Sequence, residues 1–451
     1  MRLEETIAER VASFRYACID ADLLHVLKRN ILDSCAGICS SLKDKGMLAT
    51  FDRLVSGPAT GSDLDVWGIG KRAAFADAFF MNTILSRRSD LLNTYFPANG
   101  MGGAHPSDNI ALVLTLADWL GMNGREFLTS VYTAFYLSAA FATYYNPEPA
   151  KYDHDAAATF YTALTIGHAM GLTREQLVLV QRIAGMFGLD INQAGVGQMT
   201  DWKHCTYASC ALRGLQAVKL AQAGFQAPPD IYEGSAGVNQ FFPHAERIFD
   251  PPPDLNRIIF KQWPALVFCQ TPIDVALDLS PKIEDKNTIK SVLVNTYEVA
   301  YRNGALPTAH HPTSRAGRTH SIPYCVATAL LKPLEYEDFD EPYCTNRALL
   351  ELIPKIEVVE NAEITRAYPA KSGCAIRVTL VDGSTIHAER DYPKGDPNDP
   401  LRDDEIEEKF RRYFFFAENI AETDTIIERI WRIEDEAGLE WLVSPLKRRL
   451  V

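Results

Sequence analysis

The sequence predicts a mostly α protein: a large all-helical domain built from both chain ends, with a smaller α+β lid domain inserted between them. Three observations carry this prediction. A chain of 451 residues exceeds what one ordinary hydrophobic core serves. Apolar residues recur at helical spacing from the start to about residue 260 and then give way to short β-like runs. Beyond Asp399 the helical pattern returns, strongly charged on one side. The expected divisions are residues 1–260, 261–398 and 399–451.

Each element follows from local pattern. Leu24, Leu27 and Ile31 recur three and four apart, and Leu112, Leu116 and Leu120 four apart, as on an amphipathic helix. Ala156 to Met170 is rich in Ala, Thr and Gly with apolar residues on most faces, the pattern of a buried, closely packed helix. Pro147-Glu148-Pro149, Gly171-Leu172-Thr173 and Ala227-Pro228-Pro229-Asp230 act as stops and caps. The character changes around Phe249-Asp250-Pro251-Pro252-Pro253. Beyond it, Ser291 to Tyr297, Lys355 to Val359 and Ala375 to Leu380 read as strands, the last entering a hairpin through Asp382-Gly383. Helical segments (Ile273 to Leu279, His320 to Leu331, Thr345 to Leu352) alternate with them. Asp403 to Phe415 and Ala421 to Glu434 form the helical tail.

Bulk properties narrow the partners. Net charge is −13, against a nucleic-acid partner, since phosphate binding needs a basic face. The start lacks the layout of a signal peptide, and Val131 to Tyr145 is too short and too polar to span a bilayer, so a cytoplasmic protein with no membrane partner is expected. Nine cysteines without a Cys-x-x-Cys pair read as buried free thiols rather than as a disulfide framework or iron–sulfur ligands.

Two motifs are decoys. Gly68-Ile69-Gly70 mimics a dinucleotide-binding turn, but Asp63 and Asp65 make its lead polar where a buried strand is required. The segment reads as an irregular lead into a helix from Ala73 to Phe80. His310-His311 looks like a metal pair, yet adjacent residues seldom face one ion.

Five local clusters carry titratable groups. The first runs from Asp90 through Thr94 and a glycine-rich loop to His105-Pro106-Ser107-Asp108-Asn109. Pro106 and Ser107 suit a helix start, so His105 sits at a positive helix end where a carboxylate is favoured. The second and third, Lys151-Tyr152-Asp153-His154 and Asp201-Trp202-Lys203-His204, stand at the mouths of helices. The fourth, Phe260-Lys261-Gln262-Trp263-Pro264, lies at the domain junction. The fifth, Arg318-Thr319-His320-Ser321-Ile322-Pro323-Tyr324, opens a helix of the inserted unit. Singly each suits an ordinary cap; together they suit an anion-binding cleft.

At these clusters the sequence resembles the MmgE/PrpD family, whose members include 2-methylcitrate dehydratases, cis-aconitate decarboxylases and iminodisuccinate epimerases. The resemblance extends from Ile31-Leu32-Asp33-Ser34-Cys35-Ala36-Gly37 to Tyr392-Pro393-Lys394-Gly395-Asp396-Pro397, the His-Pro-Ser-Asp-Asn and Arg-x-His-Ser-x-x-Tyr runs being its most specific parts. It implies a helical domain capped by the inserted domain with the site between them, and a homodimer. By motif, Asp90, Thr94, His105, His154, Lys203, Lys261 and Tyr324 match the family's active-site positions. The chain departs from the family just before the histidine, where Gly102-Gly103-Ala104 replaces an acidic-aromatic element.

The implied reactions make or intercept a carbanion beside a carboxylate. Dehydration needs a base for that proton, an acid for the departing hydroxyl, and cations for the carboxylates and enediolate. Lys203, Lys261 and Arg318 are the expected anchors, with Thr94 and His320 also binding substrate. His105 and His154 are the expected acid–base groups; Asp90 orients a histidine or serves as base, and Tyr324 donates a proton or hydrogen bond. The expectation is a metal-independent, cofactor-free lyase for small polycarboxylates, foremost dehydrating 2-methylcitrate or a related hydroxy-tricarboxylate. Decarboxylation of cis-aconitate and epimerisation of an imino- or amino-dicarboxylate are the alternatives; a carboxylate-binding member without catalysis is the remaining class.

Overall fold

A computed structural model describes residues 2–55, 63–98, 102–144, 151–240, 247–417 and 420–451. Residues 99–101 of the glycine-rich loop and the Pro147-Glu148-Pro149 stop lie outside the described residues. The protein is mostly α. Asp20 caps the long helix Ala21–Ser41 by accepting from the Leu23 amide at 2.9 Å. Thr173 and Gln176 form a reciprocal capping box at the start of Arg174–Met186. Helix Asp108–Leu120 ends on Gly121, whose φ of 66° is left-handed and lets the chain turn at once into Gly124–Tyr144. No helix among the described residues is long and apolar enough to cross a membrane.

Two hydrophobic cores form. One gathers buried residues from Leu3 to Phe260 and from Leu401 to Leu446, with Tyr336. The other gathers buried residues from Trp263 to Val378. In the tail, helix Asp403–Tyr413 packs on Ala21–Ser41. Lys409 Nζ there donates at 2.6 Å both to Asp33 Oδ1 and to the Lys261 carbonyl, so a buried cation ties the N-terminal helix, the tail and the chain crossing between the cores.

The second core includes a four-stranded sheet in the order Ile356–Glu360, Ile289–Thr296, Cys374–Leu380, Thr385–Arg390. Its first pair is parallel and the others antiparallel. Gly383, at φ 88°, supplies the left-handed turn residue expected of Asp382-Gly383. One expectation fails. The Gly68-Ile69-Gly70 segment is not irregular but the turn of a small hairpin pairing Leu64–Val66 with Lys71–Ala73, before helix Phe75–Arg88. Gly68 and Gly70, at φ 81° and 62°, permit the reversal.

A second small pairing bears on function: Thr94–Tyr95 lies antiparallel to Ile258–Ile259, bringing the segments of Asp90 and Lys261 side by side. Gly395 holds the same crossing from behind. Its carbonyl accepts from the Phe260 amide at 2.9 Å, and a Cβ on it would sit 1.9 Å from the Phe260 carbonyl oxygen, at a φ of 96°. Gly395→Ala is therefore expected to cost about 1–3 kcal/mol through strain and overpacking, measured as a lower urea midpoint with an unchanged slope.

Candidate active site

Helix Phe75–Arg88 ends in two arginines that leave in different directions. Arg87 makes buried ion pairs with both Asp108 and Asp155. Arg88 reaches Asp44 at 2.6 Å, Asp201 at 2.7 Å and His204 Nδ1 at 3.0 Å. Just beyond, Asp90 takes a left-handed φ of 59°, unusual for a residue with a side chain. Its Oδ1 accepts from Lys261 Nζ at 2.8 Å, its carbonyl from the same Nζ at 3.2 Å, and its Oδ2 lies 3.3 Å from His320 Nδ1. Burial pushes the Asp90 carboxyl up, but Lys261 and His320 outweigh it and hold it well below the usual carboxylate range.

His105 is set by a reciprocal clasp. The Asn93 amide donates to Ser107 Oγ at 3.0 Å and the Ser107 amide to Asn93 Oδ1 at 2.9 Å. This clasp places His105 Nδ1 2.8 Å from the Asn93 carbonyl, with Thr94 Oγ1 at 3.2 Å. The His154 ring meets the His105 ring edge-on, centroids 5.2 Å apart. His154 Nδ1 is 3.1 Å from Asp153 Oδ1 and its Nε2 is 3.5 Å from Asp155 Oδ2. Helix Trp202–Gln222 takes in the third cluster, which puts Lys203 and His204 in its first turn. Lys203 Nζ stands 3.7 Å from Asp153 Oδ2, a looser pairing than that of Lys261.

These partners assign the ring protons. A carbonyl only accepts, so His105 Nδ1 donates to Asn93 and its Nε2 keeps a lone pair. His320 Nδ1, 2.9 Å from the Ala316 carbonyl, is the same. His204 is the opposite: a guanidinium only donates, so its Nδ1 accepts from Arg88 and its proton sits on Nε2. That buried Nε2 has no hydrogen-bond partner among the described residues.

Burial, followed by the charges of Arg87, His154 and Lys261, holds His105 well below its ordinary value. Burial and Arg88 do the same to His204. Burial brings His320 down to about 4, although Asp90 opposes it. An unfolded chain takes up these protons near pH 6.5, before the folded one does. Stability is expected to fall as pH drops from about 6.5 towards about 4, checked by the unfolding midpoint across that window.

His105, His204 and His320 line one cavity of about 240 Å³. Arg87, Asp90, Thr94, His105, His154, Lys203, His204, Lys261 and His320 form its polar side. Leu92, Phe96, Leu266, Val267, Phe268 and Val299 form an apolar side, with Tyr368 and Pro369 at its edge. It adjoins a wider cavity of about 590 Å³ that shares Asn192, Gly195, Met199, Asn303 and His320 and carries Lys151 and Arg302. Among the described residues, Asp153, His154 and Asp155 bring ligand-type atoms within 4.8 Å of one another. Their charge is already met by Arg87 on Asp155 and Lys203 beside Asp153, which suits an acid–base network rather than a cation site.

The MmgE/PrpD N-terminal domain family model matches residues 5–248, more than half of the chain, and the C-terminal domain model matches residues 263–433. The chain belongs to the MmgE/PrpD family. Among similar proteins, a 2-methylcitrate dehydratase of Cupriavidus necator is 24% identical over 64% of this chain and 65% of its own length. The corresponding figures for a 2-methylcitrate dehydratase of Escherichia coli K12 are 24%, 64% and 65%. A cis-aconitate decarboxylase of Homo sapiens is 22% identical over 99% of this chain and 94% of its own length. The chain thus spans just under two thirds of the length of these two dehydratases. The reactions these relatives are named for, dehydration and decarboxylation, are both lyase reactions.

In this MmgE/PrpD member, Asp90, Thr94, His105, His154, Lys203, Lys261 and His320 line the cavity together. Tyr324 and Arg318 do not, contrary to expectation. Tyr324 points into the second core, where its hydroxyl donates to the Asp338 carbonyl at 2.6 Å and its ring stacks on Phe339. Arg318 is turned towards the same segment, its Nε donating to the Phe339 carbonyl at 2.6 Å. Helix Ile322–Leu331 is buried on nearly every face, so its sequence carries no contrast from which Tyr324's direction could be read. His204 and Arg87 were missed as site residues. His204 belongs to the third cluster, beside Lys203; Arg87 lies outside all five clusters, in the last turn of a helix, where the dipole alone favours a cation.

Proposed function

We propose that this protein is a metal-independent lyase for small polycarboxylates that removes a proton next to a carboxylate and dehydrates 2-methylcitrate or a related hydroxy-tricarboxylate. The observation that carries this reading is the pairing of His105 and His154, 5.2 Å apart, on one wall with Lys203 and Lys261. His105 touches no carboxylate and keeps an Nε2 lone pair, as a base for a carbon-bound proton requires. His154, whose Nδ1 is 3.1 Å from Asp153 Oδ1, stands across from His105 and delivers the proton to the departing hydroxyl. Lys203, loosely paired, takes a substrate carboxylate. Lys261 and the Nε2–H of His204 face the oxygen on which enediolate charge builds. Asp90 orients His320 and Lys261.

The human relative supports a second reading, cis-aconitate decarboxylation, since its similarity runs along nearly the whole chain. Purified protein offered 2-methylcitrate, citrate and cis-aconitate, followed by the absorbance of the unsaturated acid, separates the two. Turnover of 2-methylcitrate that survives a chelator is expected. No turnover of any of the three would sink the substrate assignment, and loss with chelator would sink metal independence. The proposal includes a cytoplasmic homodimer; sedimentation as a 50.3 kDa monomer at micromolar concentration would refute the dimer.

A further inference from the structure

The roles proposed above use only one side of the cavity. The same cavity is also lined by Phe96, Leu266, Val267, Phe268 and Val299, with Tyr368 beside them. Of the apolar surface such a wall could bind, 2-methylcitrate offers a single methyl group. The wall is also braced. The Phe96 and Phe268 rings stack at 6.1 Å, Phe268 meets buried Tyr297 edge-on at 6.0 Å, and Tyr297 stacks on Tyr368 at 4.6 Å. Rings held in a column cannot rotate away to admit a charged group without losing these contacts.

The loop before His105 contributes. A Cβ on Gly103 would lie 3.0 Å from Phe96 Cε1, closer than such contacts ordinarily come. The glycine therefore gives the Phe96 ring its seat against the loop. This is the stretch where Gly102-Gly103-Ala104 stands in place of the acidic-aromatic element, so the departure from the family pattern and the apolar wall occupy the same place.

We infer that this wall is a binding subsite for a hydrocarbon substituent larger than methyl, carried by the substrate on the side away from its carboxylates. The inference rests on the proposed reading of the polar wall as a carboxylate site, and it narrows the substrate class to alkyl- or aryl-substituted polycarboxylic acids. The carboxylates lie against Lys203 and Lys261, and the substituent lies against Phe96, Phe268 and Val299.

The test measures binding apart from turnover. Succinate and its 2-methyl, 2-propyl and 2-butyl derivatives are titrated into the full-length protein by calorimetry. Each added methylene up to propyl is expected to lower Kd about 4-fold. A Kd that stays flat or rises with chain length, or no binding by any member, overturns the inference. Val299→Ser, a change of polarity at a half-buried position on helix Glu298–Gly304, is expected to make the chain-length dependence shallower. An unaltered slope in that variant counts against the subsite, and the series in the unaltered protein stands even if the variant does not fold. Tighter binding of the longer acids without turnover of any hydroxy acid keeps the subsite and removes the proposed reaction. Turnover of 2-methylcitrate with a flat series does the reverse.

Discussion

His105→Ala is expected to lower kcat by about two to four orders of magnitude, the usual contribution of a positioned general base, with little effect on stability. Its Nδ1 is spent on the Asn93 carbonyl, so the lone pair left for chemistry is on Nε2 and no neighbour duplicates it at that point. His154 is 5.2 Å away by ring centroid and meets the His105 ring edge-on, so it does not occupy the same point. The fold should tolerate the change, because the Asn93–Ser107 clasp that shapes the turn is made by other groups. The pH profile tests the same assignment. Burial and nearby cations hold His105 well below 6.5, so it is the neutral base at and above neutrality. The acid limb of kcat/KM should therefore lie below pH 6.5 and vanish from the residual activity of the variant. Activity unchanged by His105→Ala would refute the base assignment.

The largest loss of stability is expected from Arg87→Met, about 3–5 kcal/mol. The guanidinium serves two buried carboxylates, and among the described residues neither Asp108 nor Asp155 makes another ion pair with Lys or Arg. Removing it strands two charges where water cannot reach them, far costlier than losing one surface ion pair. The triple variant Arg87→Met, Asp108→Asn, Asp155→Asn removes the stranded charges and should recover a large part of the loss. Urea unfolding of the two proteins decides the matter: equal midpoints would show that the penalty is not electrostatic. Asp155 also stands 3.5 Å from His154 Nε2, so Arg87→Met should lower kcat together with stability.

The two variants differ in how visible they were from the sequence. His105 sits in a run whose residue types state their own roles, a turn, a helix start and a titratable ring in sequence order. Arg87 meets Asp108 and Asp155, 21 and 68 residues away, across three helices whose approach no local pattern records. His204 was next to a recognised lysine, yet its value as a fixed hydrogen-bond donor depends on Arg88, 116 residues away.

Sequence by itself determined the mostly helical character, the strand segments after residue 260, the Asp382-Gly383 hairpin, the family and most of the polar side chains that meet in the cavity. Those features rest on periodicity, turn chemistry and motif, all of which act over a few residues. Tertiary structure decided the remainder. It turned Tyr324 and Arg318 away towards the 338–339 segment, made a hairpin of the Gly68-Ile69-Gly70 segment, brought Arg87 and His204 into the site, and set an apolar wall beside the polar one. The physical reason is common to these cases. A local pattern says that an element forms, whereas the direction of a side chain on an element buried all round depends on which distant segments pack against it.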